Sequence, residues 1–178
     1  MLTLLSGRKN LALLGAFCIF LSAVEYMIPK PLPFMRIGLA NLPVLLALDI
    51  FSLPAFLVLI SIKVIGQALI TGTFFSYIFL FSLAGTFLSG FLMFLLRRTI
   101  GSGISGRRRI SFIGIGTAGA VVSNLSQLAL AYVFIFRDSV RYIAPPFLAA
   151  GLITGIALGI FCEVFSRKSK WYKETVNV

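Results

Sequence analysis

The chain has 178 residues, of which 59% are hydrophobic, and its mean hydropathy is +1.03. This composition excludes a soluble globular domain, because too few polar side chains remain to cover one hydrophobic core. Charge is lopsided, with 16 Lys and Arg against 5 Asp and Glu, an excess that in a membrane protein favours basic span ends over a nucleic-acid surface.

Long apolar runs predict an all-α integral membrane protein with six transmembrane helices in one domain and no soluble domain. The first span ends at a proline cluster, 29–33, which cannot continue a helix. Span two is short for a hydrocarbon core about 30 Å thick, so we expect it to be tilted, broken or covered by neighbouring helices. The predicted spans are 11–28, 37–51, 54–71, 77–96, 110–136 and 144–165.

Basic residues between the spans predict the orientation of the chain. Segment 97–109 reads as a Gly- and Ser-rich cytoplasmic loop with three consecutive arginines, and 166–178 as a basic cytoplasmic tail. With both termini in the cytoplasm, eleven Lys and Arg lie inside and four outside. The positive-inside rule therefore predicts an N-in, C-in topology.

Lys63 lies in the middle of span three, where a charged side chain costs about 2.5–3.5 kcal/mol and normally faces a partner, a cavity or a ligand. Gln67 and Thr71 follow at i+4 and i+8, which places three polar groups on one helix face. Two interpretations of Lys63 stay open. It forms a structural ion pair with Asp49, or it contacts a ligand directly.

Other polar residues interrupt the apolar spans. Asn124 and Gln127 lie at i and i+3 on span five and share a face, where they either join helices by hydrogen bonds or contact a ligand. Asn41 lies on span two, and Arg36 caps its outer end. The candidate ligand-binding residues are Arg36, Asn41, Lys63, Gln67, Asn124 and Gln127.

Aromatic and basic side chains gather near the predicted outer surface. They form either an ordinary interfacial aromatic belt or the walls and mouth of a pocket for a flat or amphipathic anionic ligand. The basic members are Lys30, Arg36, Arg137 and Arg141, and the aromatic members are Phe34, Phe74, Phe75, Tyr77, Tyr132 and Tyr142.

Catalysis finds no support in the sequence. There is no His and no Gly-rich phosphate motif, and the five acidic residues are scattered along the chain. Paired carboxylates, a metal cluster or a nucleophile–base dyad cannot be assembled from neighbouring positions. We therefore predict no catalytic residue, no metal, no cofactor and no enzymatic activity of the chain itself.

Four stretches, 36–43, 72–76, 81–85 and 119–127, resemble the small bacterial membrane proteins labelled heptaprenyl diphosphate synthase component I, or Gx transporter family. The likeness covers roughly 10–165. Members of that family resemble the S-components of energy-coupling factor (ECF) transporters, which are six-helix subunits that bind vitamins or similar micronutrients from outside. The resemblance implies a bacterial cytoplasmic membrane location, a transmembrane coupling subunit and two ATPase subunits as partners. It also implies that 29–36 and 72–76 close over the ligand.

S-components carry an Ala-x-x-x-Ala pattern on the first helix for docking the coupling subunit, and Ala12 and Ala16 match it. Two alanines at this spacing also occur wherever membrane helices pack closely. The leading hypothesis is a substrate-binding subunit of an ECF-type importer for a small vitamin-like or amphipathic, anionic molecule. The alternatives are a membrane accessory subunit of prenyl diphosphate synthesis and a purely structural subunit. Aspartate-rich Mg²⁺ sites of the kind that hold diphosphates are absent from the sequence.

Overall fold

The fold is a bundle of α-helices, seen in a computed structural model that describes residues 2–29, 38–100 and 110–176. Across these three ranges every regular element is helical. A π-helical turn, Tyr132–Phe136, and a 3-10 turn, Arg137–Ser139, join the fifth and sixth α-helices. The α-helices are α1 (Leu2–Met27), α2 (Asn41–Ala47), α3 (Leu53–Thr71), α4 (Tyr77–Thr99), α5 (Phe112–Ala131), α6 (Val140–Lys168) and α7 (Lys170–Val176).

Five helices, α1, α3, α4, α5 and α6, are long and apolar enough to cross a membrane. They correspond to predicted spans one, three, four, five and six, although α1 begins at Leu2 and α6 extends to Lys168. Many of their large apolar side chains are exposed on the bundle surface, as expected of helices that face lipid. The all-α, multi-pass membrane prediction is therefore confirmed.

Predicted span two, 37–51, does not form a spanning helix within its described residues, 38–51. Its helical part, α2, has seven residues and is about 10 Å long at 1.5 Å per residue, roughly a third of the hydrocarbon core. The residues from Leu42 to Leu48 are all buried, so neighbouring helices cover the short element. A broken segment at membrane depth is tolerated where protein surrounds its backbone in this way.

α1 and α3 run in the same direction. Gly15 of α1 lies against Ile62 of α3, and Ile19 of α1 lies against Gly66 of α3. The residue numbers of the contacting pairs increase together, as they do in parallel helices. Two parallel helices require the chain between them to return across the bundle. The described residues 38–52, with α2 among them, make this return crossing, from Gly38 beside Glu25 to Asp49 beside Arg97.

The remaining helices alternate in direction. Phe56 stacks near Phe94, with ring centroids 5.4 Å apart, and Gly119 lies against Met93, while Gly159 lies against Ile113. Consequently α1 begins and α6 ends at the same end of the bundle, which we call the terminal face. The two termini lie on one side, as the N-in, C-in prediction requires; that this side is the cytoplasm stays a prediction.

Glycines let α5 and α6 approach closely. A Cβ atom added at Gly155 would lie 3.0 Å from the carbonyl oxygen of Gly116, and one added at Gly159 would lie 2.5 Å from Cα of Ile113. Small residues commonly allow such backbone contact between membrane helices. This close contact between α5 and α6, which we call the seam, fixes the two helices that carry one wall of the cavity described below.

The terminal face is held by a buried ionic cluster. Arg97 donates from Nε and Nη2 to the two carboxylate oxygens of Asp49, at 2.5 and 2.6 Å. It also donates to the carbonyl of Ile110, at 3.1 Å, and stacks over the ring of Phe112, 4.6 Å from the centroid. Tyr172 donates a third bond to Asp49, at 2.7 Å. One arginine therefore joins the end of α4, the turn after α2 and the start of α5.

The described helices extend into two of the predicted basic segments. Arg97 was expected in the cytoplasmic loop 97–109, but it lies in the last turn of α4 and is buried; residues 101–109 lie outside the described residues. Within the predicted basic tail, 166–178, α6 continues to Lys168 and α7 follows; the cytoplasmic location of the tail stays a prediction. Because the ring and hydroxyl of Tyr172 are buried in the core, α7 is part of the fold.

Candidate ligand-binding site

A polar cavity lies inside the bundle, with lining residues from each of the helices α1 to α6. Its volume is about 40 Å³, which accommodates about three water molecules at 10–15 Å³ each. Most of the lining side chains are polar although the surrounding helices are apolar. The polar lining residues are Glu25, Asn41, Lys63, Gln67, Ser82, Thr86, Ser89, Ser123, Asn124, Gln127 and Thr154.

The structure brings five of the six predicted site residues together in this cavity, although they come from three separate helices. Four of the five are less than 10% exposed. Arg36 lies outside the described residues, so its placement stays a prediction, as does a direct ligand contact for the other five. The five lining residues are Asn41, Lys63, Gln67, Asn124 and Gln127.

Lys63 faces the cavity and donates from Nζ to Oδ1 of Asn41, the first residue of α2. Gly38 makes this position possible: its φ of +85° favours glycine, and a Cβ there would lie 2.9 Å from the Asn41 amide. Asp49, the partner proposed in the other interpretation of Lys63, accepts hydrogen bonds from Arg97 and Tyr172. The ammonium of Lys63 therefore lies in the lining of the cavity, and its direct contact with a ligand stays a prediction.

Glu25 is a site residue that the sequence prediction omitted. It lies near the end of α1, is 0% exposed and lines the cavity. Its Oε2 accepts a hydrogen bond from the backbone N–H of Gly38, at 3.1 Å. The argument used for Lys63 would also have identified Glu25, because a lone ionisable residue within a membrane span is by default a functional candidate.

The α5 wall combines a structural and a cavity-lining role. Asn124 donates from Nδ2 to the carbonyl of Phe147 on α6, at 2.9 Å, so the predicted interhelical hydrogen bond exists. Gly151 leaves the room for this amide, since a Cβ there would collide with Nδ2. Gln127 donates to Oγ of Ser123, at 3.1 Å. Both amides are thereby oriented toward the space between α4, α5 and α6.

Three hydroxyl residues of α4, Ser82, Thr86 and Ser89, complete the lining and were not predicted. Their i, i+4, i+7 spacing places them on one helix face, which is the sequence signal that would have found them. Ser82 is 3% exposed, and its Oγ has no hydrogen-bond partner within the described part of the chain. A buried hydroxyl without a partner is unfavourable, so Ser82 is a position where a ligand group or water is needed.

Several predicted features lie away from the cavity. Thr71, the third member of the α3 stripe, donates to the carbonyl of Gln67 at 2.9 Å and does not line the cavity. Within the described ranges no aromatic side chain lines this cavity, and the aromatic-walled pocket at the outer surface stays a prediction. Several of these rings are exposed on the surface, where an interfacial belt is expected. They are Phe75, Tyr77, Tyr132 and Tyr142. Phe34 and Lys30 lie outside the described residues.

The charges of the described lining residues balance. Glu25 is their one acidic residue and Lys63 their one basic residue. Groups of three or more His, Cys, Asp or Glu side chains able to hold a metal ion do not occur in the described part of the chain. Apart from Glu25 and Lys63, the polar groups of the described lining are amides and hydroxyls, which donate and accept hydrogen bonds without carrying charge.

Ala12 and Ala16 lie on the outer surface of α1, and both are exposed. Beside them an apolar groove of about 400 Å³ runs between α1, α2 and the C-terminal helices; its lining includes Leu13, Ala16 and Trp171. Exposure is what a docking role for the alanine pair requires. That a partner docks there stays a prediction.

Comparison with known proteins gives one match. The model of the family described as heptaprenyl diphosphate synthase component I matches residues 14–165, which covers every helix that lines the cavity. No curated protein and no solved structure matches the chain.

Proposed function

Because the chain belongs to the heptaprenyl diphosphate synthase component I family, we propose that it is a membrane subunit that binds a small polar molecule inside its helix bundle. Component I of heptaprenyl diphosphate synthase is a non-catalytic subunit. Membership therefore agrees with the prediction that this chain is not itself an enzyme. Its task is to bind and to cooperate with partner proteins.

The observation that carries the proposal is the concentration of polar side chains on one internal cavity. Lys63, Gln67 and Asn124 each lie within an apolar spanning helix and are almost fully buried. Every such residue is costly in a bilayer, and helix packing alone does not require them to converge. A common ligand explains why α3 and α5 place these polar residues against the same space.

The proposed role is that of an S-component-like substrate-binding subunit of an ECF-type importer in the bacterial cytoplasmic membrane. The sequence contains no nucleotide-binding motif, so energy for release must come from partners. These would be a transmembrane coupling subunit and two ATPase subunits. The exposed pair Ala12 and Ala16 on α1 supports a docking surface for the coupling subunit.

The cavity volume supports a gated site. At about 40 Å³ it holds a few waters but no vitamin-sized molecule, so the bundle must open to admit one. The hydrogen bond from the backbone N–H of Gly38 to Glu25 joins the start of the described segment before α2 to the cavity wall. That 29–36 and 72–76 close over the ligand is proposed from the family resemblance.

The alternative is a membrane accessory subunit of prenyl diphosphate synthesis, and the family description favours it. Such a subunit would bind a prenyl diphosphate or scaffold a soluble synthase. A diphosphate in the cavity is disfavoured, because Lys63 is its one described cation and Glu25 lies in the same lining. A scaffold for a soluble synthase need not bind anything in the cavity, so scaffolding is the stronger form of this alternative.

Native mass spectrometry of the protein purified from its own membranes in mild detergent separates the two functions. The importer proposal predicts a retained small molecule together with coupling and ATPase subunits. A soluble prenyltransferase in their place would support the alternative. Matched preparations of Asn124→Ala and Ser126→Ala show whether retention depends on the cavity, because Ser126 bonds to the backbone of Val122 and does not line it.

A further inference from the structure

We infer that the cavity selects a small molecule of no net charge, either a zwitterion or a compound rich in amide groups. The inference rests on the proposed function, since it names the class of ligand that the same site would take. It also replaces the anionic ligand expected from the sequence. That expectation depended on basic residues near the outer surface, and among the described lining residues only Lys63 is basic.

Charge balance is the first reason. The described lining contains one carboxylate, Glu25, and one ammonium, Lys63, which are 0% and 5% exposed. Whether these two groups neutralise each other or bind opposite ends of a ligand, their charges sum to zero. A net charge brought into this buried space would lack a compensating charge among the described lining residues, and an uncompensated buried charge is strongly disfavoured.

Hydrogen-bonding chemistry is the second reason. Four carboxamides line the cavity, and each offers both donors and an acceptor. The hydroxyl of Ser82 adds a further donor and acceptor that the described residues leave unused. No arginine, the residue suited to bidentate phosphate binding, is among the described lining residues. A ligand carrying amide, amine and carboxyl groups in balance matches this set. The carboxamides are Asn41, Gln67, Asn124 and Gln127.

Size is the third reason. A cavity of about 40 Å³ is far below the usual size of a ligand pocket, so small ligands require the least rearrangement of the bundle. Met93 is the most adaptable lining side chain, since its thioether chain repacks easily, and it lies directly against Gly119 between α4 and α5. Movement of this one side chain would enlarge the space toward amino-acid dimensions.

Four five-carbon probes of similar length and different charge test the inference. They are glutaramide, which is uncharged, glutamine, a zwitterion, glutarate, a dianion, and cadaverine, a dication. Isopentenyl diphosphate represents the prenyl diphosphates. Binding to the full chain in lipid nanodiscs is measured by calorimetry and by thermal unfolding. We expect glutaramide or glutamine to bind at least about tenfold more tightly than glutarate, cadaverine or isopentenyl diphosphate.

Two variants test whether the lining charges set this preference. Glu25→Gln leaves the described lining with one positive charge, so the preference should move toward glutarate by about tenfold. Lys63→Met leaves one negative charge and should move it toward cadaverine. A purely structural role for these residues would weaken all probes alike. Because the two variants are expected to shift the selectivity in opposite directions, the test can be made even if only one of them folds.

Tighter binding of glutarate or isopentenyl diphosphate than of the neutral probes overturns the inference, and so does the absence of binding by every probe. The proposed function fails separately, when no small molecule and no coupling subunit are retained on purification. If both are retained but the protein prefers an anionic probe, the proposed function holds and the inferred class of ligand is wrong. If the protein binds a neutral probe but no importer subunits co-purify with it, the inferred class of ligand holds.

Discussion

The hydroxyl of Tyr172 donates a hydrogen bond to Oδ2 of Asp49, at 2.7 Å, across 123 positions of sequence. The same carboxylate binds Arg97 through both of its oxygens. Three elements that are remote in sequence, α4, α7 and the turn after α2, therefore meet at one buried ion pair. The pair fixes the end of the return segment on which Asn41 reaches the cavity.

Arg97→Met should destabilise the protein strongly. It would leave Asp49, which is 13% exposed, without its cation, and removing one partner of a buried pair costs about 3–5 kcal/mol. Thermal unfolding in detergent measures the loss. Arg98→Met is the matched control, because Arg98 lies beside it in α4 and is exposed. Equal melting temperatures of the two variants would contradict a structural role for the Arg97–Asp49 pair.

Tyr172→Phe should loosen α7. It removes the donor to Asp49, and a hydrogen bond to a charged group contributes about 1.5–3 kcal/mol. Limited proteolysis should then cleave the C-terminal helix before the bundle unfolds, whereas the unmodified chain should resist at the same protease concentration. Tyr142→Phe serves as the control, since Tyr142 is 79% exposed. Identical cleavage of both variants would show that α7 does not depend on this bond.

The fold was predictable where one physical signal dominated. Apolar length identified the five spanning helices, because a run that fills the bilayer has few alternatives. It failed for α2, whose residues are apolar on every side since the bundle surrounds them. Burial and membrane spanning give the same composition, so hydropathy could not separate them. The burial of Tyr172 was missed for a related reason. It lies in a basic segment, and nothing in the composition of that segment indicates that one of its side chains is buried.

The site was predictable to the extent that membrane burial penalises polar groups. Lys63, Gln67 and Asn124 stand out because each is costly on an apolar helix. Ser82 is less conspicuous, since a serine in a membrane helix usually bonds to its own backbone, and only the structure shows that its hydroxyl has no partner among the described residues. Which polar residues of different helices meet depends on helix pairing and rotation, and no local pattern encodes these.

Gly151→Ala should disturb the contact between α5 and α6. An added methyl group would overlap the amide of Asn124, and that amide bonds to Phe147. Forcing atoms into a packed site costs about 1–3 kcal/mol, so we expect a lower melting temperature and weaker ligand retention. Gly114→Ala is the control, because its nearest neighbour for an added Cβ is 3.9 Å away. A melting temperature no lower than that of the control would show that the seam accommodates the methyl group.

Ala16→Leu should weaken assembly with the coupling subunit while ligand binding is retained. The larger side chain would stand on an exposed face of α1 that the proposal assigns to docking, where small residues permit close helix contact. Co-purification of the importer subunits measures assembly, and calorimetry measures ligand binding. Ala157→Leu, on an exposed position of α6, is the matched control. If both variants assemble equally well, α1 does not carry the docking surface through this alanine.

Ser82→Ala should make the empty protein more stable and the ligand weaker, and this opposite pair of effects separates a binding residue from a packing residue. The Ser82 hydroxyl is buried without a partner among the described residues. Leaving such a group unsatisfied costs about 1–3 kcal/mol, so removing it should raise the melting temperature of the ligand-free form.

In the bound protein the same hydroxyl would satisfy a polar group of the ligand, so its removal should weaken binding by about tenfold. Thermal unfolding is measured with and without glutaramide or glutamine, whichever binds the unmodified chain. Ser126→Ala, whose hydroxyl bonds to the backbone within α5, should change neither quantity much. A destabilised Ser82→Ala protein of unchanged affinity would mean that the hydroxyl supports the fold, and Ser82 would then have no part in ligand recognition.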